Sequence, residues 1–148
     1  MAILEAGLNY EGMTLVSQKY YDTEIEFDDR LRSGLLSAIS SFAKEAFQDT
    51  IESFSLSKFE IICIRRSINV PGNKIESNLL AYAITDKDTN LKIVKSFLGK
   101  IVDAFLNRFS VRDIGGGDME KFEGFKDRID QIFSDLRLKT EDRFKSIF

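Results

Sequence analysis

The 148-residue sequence contains no histidine and no tryptophan, and it has one cysteine and one proline. Because histidine is the commonest general base in enzymes and the commonest zinc ligand, its absence argues against most catalytic and zinc sites. The single cysteine, Cys63, excludes an intramolecular disulfide and indicates a reducing compartment. No uncharged apolar run approaches the roughly 18 residues of a membrane-spanning helix. We therefore expect a non-enzymatic, cytoplasmic protein without cofactor, metal or integral membrane segment.

Acidic residues are concentrated at the N-terminus, although the formal net charge is only −3. Residues 1–30 hold seven carboxylates against two basic side chains, whereas the rest of the chain holds 17 acidic and 19 basic ones. Proteins that bind nucleic acid usually carry a basic stripe, and this sequence has none. The charge pattern therefore predicts no nucleic-acid partner.

Hydrophobic patterning predicts one α+β domain over residues 1–138, followed by an amphipathic tail over residues 139–148. The chain length and the apolar fraction of 43% are typical of a single globular domain. Short apolar or alternating runs predict five strands: Ala2–Tyr10, Thr14–Tyr21, Ile51–Leu56, Phe59–Arg66 and Leu79–Thr85. Helical spacing of apolar residues predicts three helices, over residues 29–48, 91–109 and 119–136. The economical arrangement is a five-stranded antiparallel sheet between α layers, in the order ββαβββαα, with a short helical tail.

The strands differ in pattern, and the turns between elements carry their own signals. The first strand is almost continuously apolar, as in a central strand covered on both faces, whereas the second alternates, as in an edge strand. Gly12 predicts a positive φ in the hairpin that joins them, and Pro71-Gly72 predicts a type II turn. Asp88 or Thr89 is the expected N-cap of the second helix.

Two segments match ligand-binding motifs only in part. Asp86–Asn90 opens like an EF-hand loop, but Leu91 and Phe97 occupy the positions that require glycine and glutamate. Gly115–Gly117 precedes a predicted helix, but no Lys-Ser or Lys-Thr follows it, as a phosphate-binding loop requires. We predict a turn with a helix cap at the first segment and a link between two helices at the second.

Two surfaces leave a choice between packing within the chain and contact with a partner. Small residues form a flank beside the apolar stripe of the first predicted helix. This flank fits either tight packing of the helix on the chain's own sheet or a helix contact with a second chain. Its residues are Ser33, Gly34, Ser37, Ala38, Ser40 and Ser41. Phe144, Ile147 and Phe148 give the basic C-terminal tail an apolar side. This tail fits folding back on the domain, docking on a partner, or peripheral contact with a membrane.

The order of elements is similar to that of the longin domain. The resemblance covers residues 1 to about 136 and is carried by four segments: the hairpin Ala2–Tyr21, the block Leu31–Ala43, the strand Leu79–Asp86 and the segment Phe122–Asp130. The chain resembles the stand-alone longin-type domains of archaeal origin that accompany small Ras-like GTPases. It departs from the vesicle-fusion branch, because no heptad repeat follows and the ending Lys145–Phe148 offers no prenylation cysteine.

The resemblance implies a function in binding. Longin-type proteins include fusion factors, adaptor small chains, tethering subunits and regulators of small GTPases, and they act by binding rather than by chemistry. We therefore expect an interaction module that binds or regulates a small Ras-like GTPase or pairs with another longin or roadblock chain, as in trafficking or a signalling scaffold. A homodimer is also consistent with the resemblance.

The resemblance also implies where a partner binds. By analogy with longin folds, the second and third strands are the sheet edges, and the first helix beside the third strand forms a peptide-binding groove. With the small-residue flank and the tail included, the expected partner-binding residues are Ser33, Leu36, Ser37, Ser40, Phe47, Phe54, Leu56, Phe144 and Phe148.

Two other function classes stay open on the sequence. One is a small-molecule sensor or enzyme with a pocket between sheet and helices, for which Tyr82, Asp86 and the glycine link would be the polar contacts. The other is a purely structural assembly subunit.

Overall fold

The computed structural model describes residues 3–11, 13–20, 34, 37–38, 41, 53–57, 59–69, 72, 77–116 and 120–134. These residues form one five-stranded antiparallel sheet with helices, so the protein is an α+β protein as predicted. The strands are β1 (Ile3–Tyr10), β2 (Met13–Lys19), β3 (Ser53–Ser55), β4 (Phe59–Ile68) and β5 (Ser77–Asp86). Their spatial order is β2-β1-β5-β4-β3.

This order places β1 and β5 in the middle of the sheet and β2 and β3 at its two edges, within the described chain. β1 is buried at nearly every position, which confirms the prediction of a central strand covered on both faces. The prediction that the second and third strands are the edges is also confirmed. Where the predicted ends lie among the described residues, they differ from the observed ends by at most two residues. The ends of an element are fixed less well by residue propensity than its centre.

Two α-helices follow β5 in the chain. They are the long α1 (Leu91–Arg108) and the short α2 (Val111–Gly115). A 3-10 helix, Glu120–Phe125, then leads into α3, which includes residues 126–134. The sequence predicted α-helix from residue 119. The segment Glu120–Phe125 instead winds as a 3-10 helix, in which residues three apart lie on the same side. Phe122 and Phe125 therefore both pack on Phe105, with ring centroids 5.2 and 5.1 Å from its own.

The first predicted helix is described at four positions, Gly34, Ser37, Ala38 and Ser41, and all four are helical. The remainder of this segment, the C-terminal tail and the predicted N-cap Asp118 lie outside the described residues. The layering with helices on both faces and the full order ββαβββαα therefore stay predictions.

The two faces of the sheet carry separate clusters of buried side chains. On the α1 face, sheet residues pack with helix residues such as Leu98, Ile101 and Phe105, and with Phe133 of α3. The sheet residues of this face include Ala6, Leu8, Ile62, Leu79, Ala81 and Ala83. The opposite face, here called the Tyr82 face, carries Ile61, Cys63, Tyr82 and Ile84. Both faces are therefore withdrawn from water, as the apolar β1 and β4 patterns require.

The segment between β5 and α1 is a turn followed by a helix cap, as predicted. Thr89 Oγ1 donates a hydrogen bond of 2.6 Å to Asp86 Oδ1. Asn90 is the N-cap, because its Oδ1 accepts from the backbone N–H groups of Lys92 and Ile93 at 3.0 and 3.3 Å. The expected cap at Asp88 or Thr89 is therefore wrong, by two residues or by one. No group of three potential metal ligands occurs in the described part of the chain.

Candidate interaction surface

Among the described strands, β3 is an edge, so its outer side carries backbone hydrogen-bonding groups that no described strand pairs. The Leu56 N–H donates to the Phe59 carbonyl at 2.8 Å, and Phe54 lies opposite Ile61 in the same ladder. In an antiparallel pair, bonded and non-bonded positions alternate, so Ser53 and Ser55 direct their backbone N–H and C=O groups away from β4. Both residues are exposed. A second extended chain can therefore add hydrogen bonds to this edge.

Apolar side chains line the same edge on the Tyr82 face. Phe54 is half-buried and packs against the cluster of Ile61, Cys63, Tyr82 and Ile84. Leu56, two residues further along, is 46% exposed and is one of three large apolar side chains with such exposure among the described residues. Because residues two apart in an extended chain point to the same side, Phe54 and Leu56 form one apolar strip beside the open backbone.

The other side of β3 is polar. The Ser55 hydroxyl donates to the Glu60 carboxylate, with Oγ to Oε2 at 2.6 Å. Lys87 Nζ lies 3.8 Å from Glu60 Oε1 and balances its charge. The edge therefore has an apolar side and a charge-balanced polar side, an arrangement that can orient an incoming strand.

The β2 edge is less open than the β3 edge. The ladder between β1 and β2 shifts register between Leu8 and Asn9, so Leu15 is an extra residue, and both Leu15 and Val16 are buried. A bulge of this kind bends an edge strand away from further pairing. Gln18 Nε2 also donates a hydrogen bond of 2.8 Å to Asp130 Oδ2, which ties β2 to α3.

A buried polar group lies on the Tyr82 face at the centre of the sheet. The Tyr82 hydroxyl donates a hydrogen bond of 2.7 Å to Glu5 Oε2, and both side chains are fully buried. Gly7 lies opposite Tyr82, and a Cβ atom at this position would come within 2.9 Å of the Tyr82 ring. The glycine therefore lets the ring cross β1 to reach the carboxylate.

Asn9 and Cys63 are two further buried residues of the sheet that carry polar atoms. Asn9 is 3% exposed, and neither atom of its side-chain amide has a hydrogen-bond partner. An unpaired buried amide costs stability. Burial raises the pKa of the Cys63 thiol to about 12, so the thiol stays protonated at neutral pH and is a poor nucleophile.

The structure brings two of the predicted partner-binding residues together, Phe54 and Leu56, at the β3 edge. Ser37 is helical and half-buried, whereas its neighbours in the small-residue flank, Gly34, Ala38 and Ser41, are exposed. Three of the four described residues of the flank are therefore exposed. The other predicted residues lie outside the described residues: Ser33, Leu36, Ser40, Phe47, Phe144 and Phe148.

The polar contacts of the sensor or enzyme hypothesis do not converge. Tyr82 lies on the face opposite α1 and is bonded to Glu5. Asp86 precedes α1, and Gly115 follows it on the next short helix. The 18 residues of α1 separate these two positions by about 27 Å along the helix axis. These three contacts therefore give no single pocket.

Sequence reasoning missed Glu5 and Asn9 as buried polar groups. A signal was present, since both are polar residues in a strand predicted to be covered on both faces, and they alternate with Gly7 on one face. The sequence carried no such signal for the outward direction of the backbone N–H and C=O groups of Ser53 and Ser55. Which residues of a strand bond to its neighbour depends on the register between the two strands.

Neither the models of known protein families nor the curated proteins give a significant match to this sequence. Among the described helices, none is long and apolar enough to cross a membrane.

Proposed function

We propose that this protein is a non-catalytic interaction module that binds or regulates a small Ras-like GTPase, or pairs with a longin or roadblock chain, in the cytoplasm. The β3 edge, with Phe54 and Leu56, is the proposed contact surface. The resemblance of the sequence to stand-alone longin domains suggests the class of partner.

One observation carries the proposal: the backbone of Ser53 and Ser55 points outward beside an exposed leucine. Main-chain hydrogen bonds to an added strand supply affinity, and pockets for alternate side chains supply specificity. Truncating the leucine removes apolar contact area from the complex but little from the isolated fold, because Leu56 is already 46% exposed.

The test uses two variants with matched exposure. Met13, at the start of β2, is 47% exposed and lies on the opposite edge. Immobilised wild type, Leu56→Ser and Met13→Ser chains are used to capture partners from cell extract, in GDP and in a non-hydrolysable GTP analogue. Quantitative mass spectrometry is scored for small GTPases and for longin or roadblock chains.

We expect wild type and Met13→Ser to enrich the same GTPase or longin-type chain, and Leu56→Ser to lose about tenfold of it, equivalent to about 1.4 kcal/mol. Equal capture by all three chains would exclude the β3 edge as the contact surface. If neither small GTPases nor longin or roadblock chains are enriched, the proposed function is wrong. Thermal unfolding of each variant shows that the fold is intact.

A further inference from the structure

Three costly features lie together at the hairpin end of the sheet. The Asn9 carboxamide is 3% exposed, and neither its oxygen nor its nitrogen has a hydrogen-bond partner. The ladder between β1 and β2 shifts register at the same residue, and Glu11 in the adjoining turn has a positive φ of 50°. Unsatisfied buried groups and backbone strain concentrate at functional sites, because the fold by itself gains nothing from them.

Register places three side chains in one row on the Tyr82 face at this end. Asn9 lies opposite Leu80 of β5, and Leu80 lies opposite Arg65 of β4. Leu80 packs on the cluster of the Tyr82 face, and directly opposite residues in a sheet share a face. Along the row, Asn9 is buried, Leu80 is half-buried and Arg65 is exposed. The row therefore leads from solvent to the unpaired carboxamide.

Arg65 supplies the charge of this row. Its guanidinium has no partner among the described residues, whereas Arg66, on the opposite face, donates to Asp103 Oδ1 at 2.9 Å. The next row on the Tyr82 face holds Ser67 and Asn78, in which the Ser67 hydroxyl donates a long hydrogen bond of 3.4 Å to Asn78 Oδ1. The N–H groups of the Asn78 carboxamide remain available beside the guanidinium. An anionic oxygen can therefore be bound at the exposed end of the row.

We propose that this row binds a ligand in which a carboxylate and a secondary amide share one carbon atom, an N-acyl-α-amino carboxylate. The Arg65 guanidinium donates to the carboxylate. The Asn9 carboxamide donates to the amide carbonyl and accepts from the amide N–H. The ligand side chain packs on Leu80, and a change of the Leu80 rotamer admits the amide to Asn9. This site is separate from the β3 edge and does not rest on the proposed function.

The spacing of the row favours this chemistry. The Cα atoms of Asn9 and Arg65 are two strand spacings apart, about 10 Å. The long arginine side chain can reach across Leu80 towards the shorter asparagine, so the two ligand groups that they bind must be close neighbours. A carboxylate and an amide on one carbon meet this requirement, whereas the phosphate and base of a nucleotide lie at opposite ends of a sugar. A carboxamide also matches an amide with one donor and one acceptor.

The same chemistry has two sources. One is the C-terminal residue of a protein, whose carboxylate and last peptide group have this arrangement. The other is a free N-acyl amino acid. A peptide that is longer than the shared group distinguishes the two, because only a protein partner has a further chain to contact.

The test uses three small probes with the full, isotopically labelled chain. N-acetyl-leucine carries both groups, N-acetyl-leucinamide lacks the carboxylate, and the ester analogue of N-acetyl-leucine lacks the amide N–H. Titrations followed by nitrogen–proton correlation NMR give the Kd of each. We expect about 1 mM for N-acetyl-leucine, a probe of about 12 non-hydrogen atoms. Binding should weaken about tenfold for N-acetyl-leucinamide and about threefold for the ester.

Two variants assign the two ends of the row. Arg65→Met should bind N-acetyl-leucine and N-acetyl-leucinamide equally, and Asn9→Leu should bind N-acetyl-leucine and the ester equally. Arg66→Met is the matched control, because Arg66 is the next residue, is also exposed and lies on the opposite face. It should keep both differences.

Asn9→Leu also has an expected effect on the fold. Leucine removes the unpaired buried carboxamide, so the melting temperature of the variant should rise. A lower melting temperature would show that the carboxamide is satisfied within the fold, and it would overturn the proposal. The test does not depend on this variant alone, since Arg65 is exposed and its substitution leaves the core unchanged.

The remaining outcomes are equally distinct. No chemical-shift change at Asn9, Leu80 and Arg65 with about 10 mM N-acetyl-leucine would overturn the proposal. Equal binding of all three probes by wild type would do the same. Tighter binding of acetyl-Gly-Gly-Gly-Leu than of N-acetyl-leucine would assign the site to a protein C-terminus, and equal binding would assign it to a free N-acyl amino acid. Leu56→Ser should bind the probes like wild type, so failure at the β3 edge is separable from failure here.

Discussion

Gly7 lies where the neighbouring strands leave no room for a side chain. An added Cβ would lie 2.6 Å from the Val16 carbonyl oxygen and 2.8 Å from the Tyr82 hydroxyl. The first contact is with backbone of the neighbouring strand, so relief requires a shift of the β1–β2 ladder. The same small residue gives the Tyr82 hydroxyl access to Glu5, which pairs two buried polar groups that would otherwise be costly.

Alanine at two glycines should therefore have opposite effects. Gly7→Ala is expected to destabilise by about 1–3 kcal/mol, as overpacking of a close contact does. Gly99→Ala, within α1, meets no atom within 4 Å and is expected to stabilise by about 0.5–1 kcal/mol, because alanine favours the helix. Urea denaturation of both variants measures the two changes. A neutral Gly7→Ala would mean that both the β1–β2 ladder and the Tyr82 ring shift without cost.

At the scale of elements, the β1–β2 hairpin carries local backbone strain. Tyr10 pairs with Met13, which leaves a two-residue turn of Glu11 and Gly12. Glu11 has φ of 50°, a value that is uncommon for residues other than glycine and is adopted more often by asparagine and aspartate. The sequence assigned the positive φ to Gly12, which lies outside the described residues, whereas the structure shows that Glu11 adopts one. Two-residue hairpins of type I′ favour Asn-Gly because both turn residues need positive φ.

Asparagine in this turn should stabilise the hairpin. Glu11→Asn is expected to raise the free energy of unfolding by about 1 kcal/mol, because asparagine adopts the left-handed region at lower cost. For a chain of this length, the melting temperature should rise by about 2–4 °C. Glu11→Ala serves as the control, since it removes the charge without easing the turn. Equal melting temperatures for both variants would contradict the strain argument.

At the scale of the whole molecule, the buried Cys63 thiol links stability to alkaline pH. Burial raises its pKa from the ordinary value of 9.0 to about 12. Below pH 9 the thiol is protonated in both the folded and the unfolded chain. Above pH 9 only the unfolded chain releases the proton, so stability is lost as pH rises from 9 towards 12.

This linkage predicts how the difference in the free energy of unfolding between wild type and Cys63→Ala changes with pH. Between about pH 8 and 10.5, the free energy of unfolding of wild type should fall relative to that of Cys63→Ala by about 2 kcal/mol. The subtraction removes the contribution of other groups that titrate in this range. Denaturation at a series of pH values measures it, and a constant difference would show that the folded thiol ionises freely.

The amino-acid sequence by itself determined the α+β class, the five strands and the turn before α1, whereas the cap at Asn90 lies beyond the expected Asp88 or Thr89. Each of these depends on periodicity, propensity or local hydrogen bonding within a few residues. The apolar pattern of β1 was sufficient to place it centrally, and the alternation of β2 was sufficient to place it at an edge.

Only the tertiary structure decided which polar groups are buried and which edge is open. Glu5 lies near Tyr82, 77 residues away in the sequence, and no local pattern reports such a contact. The outward direction of the Ser53 and Ser55 backbone follows from pairing with β4, and a shift of one residue in register would reverse it. Local residue types set what each segment can form, whereas the register between distant strands sets which surface remains available for a partner.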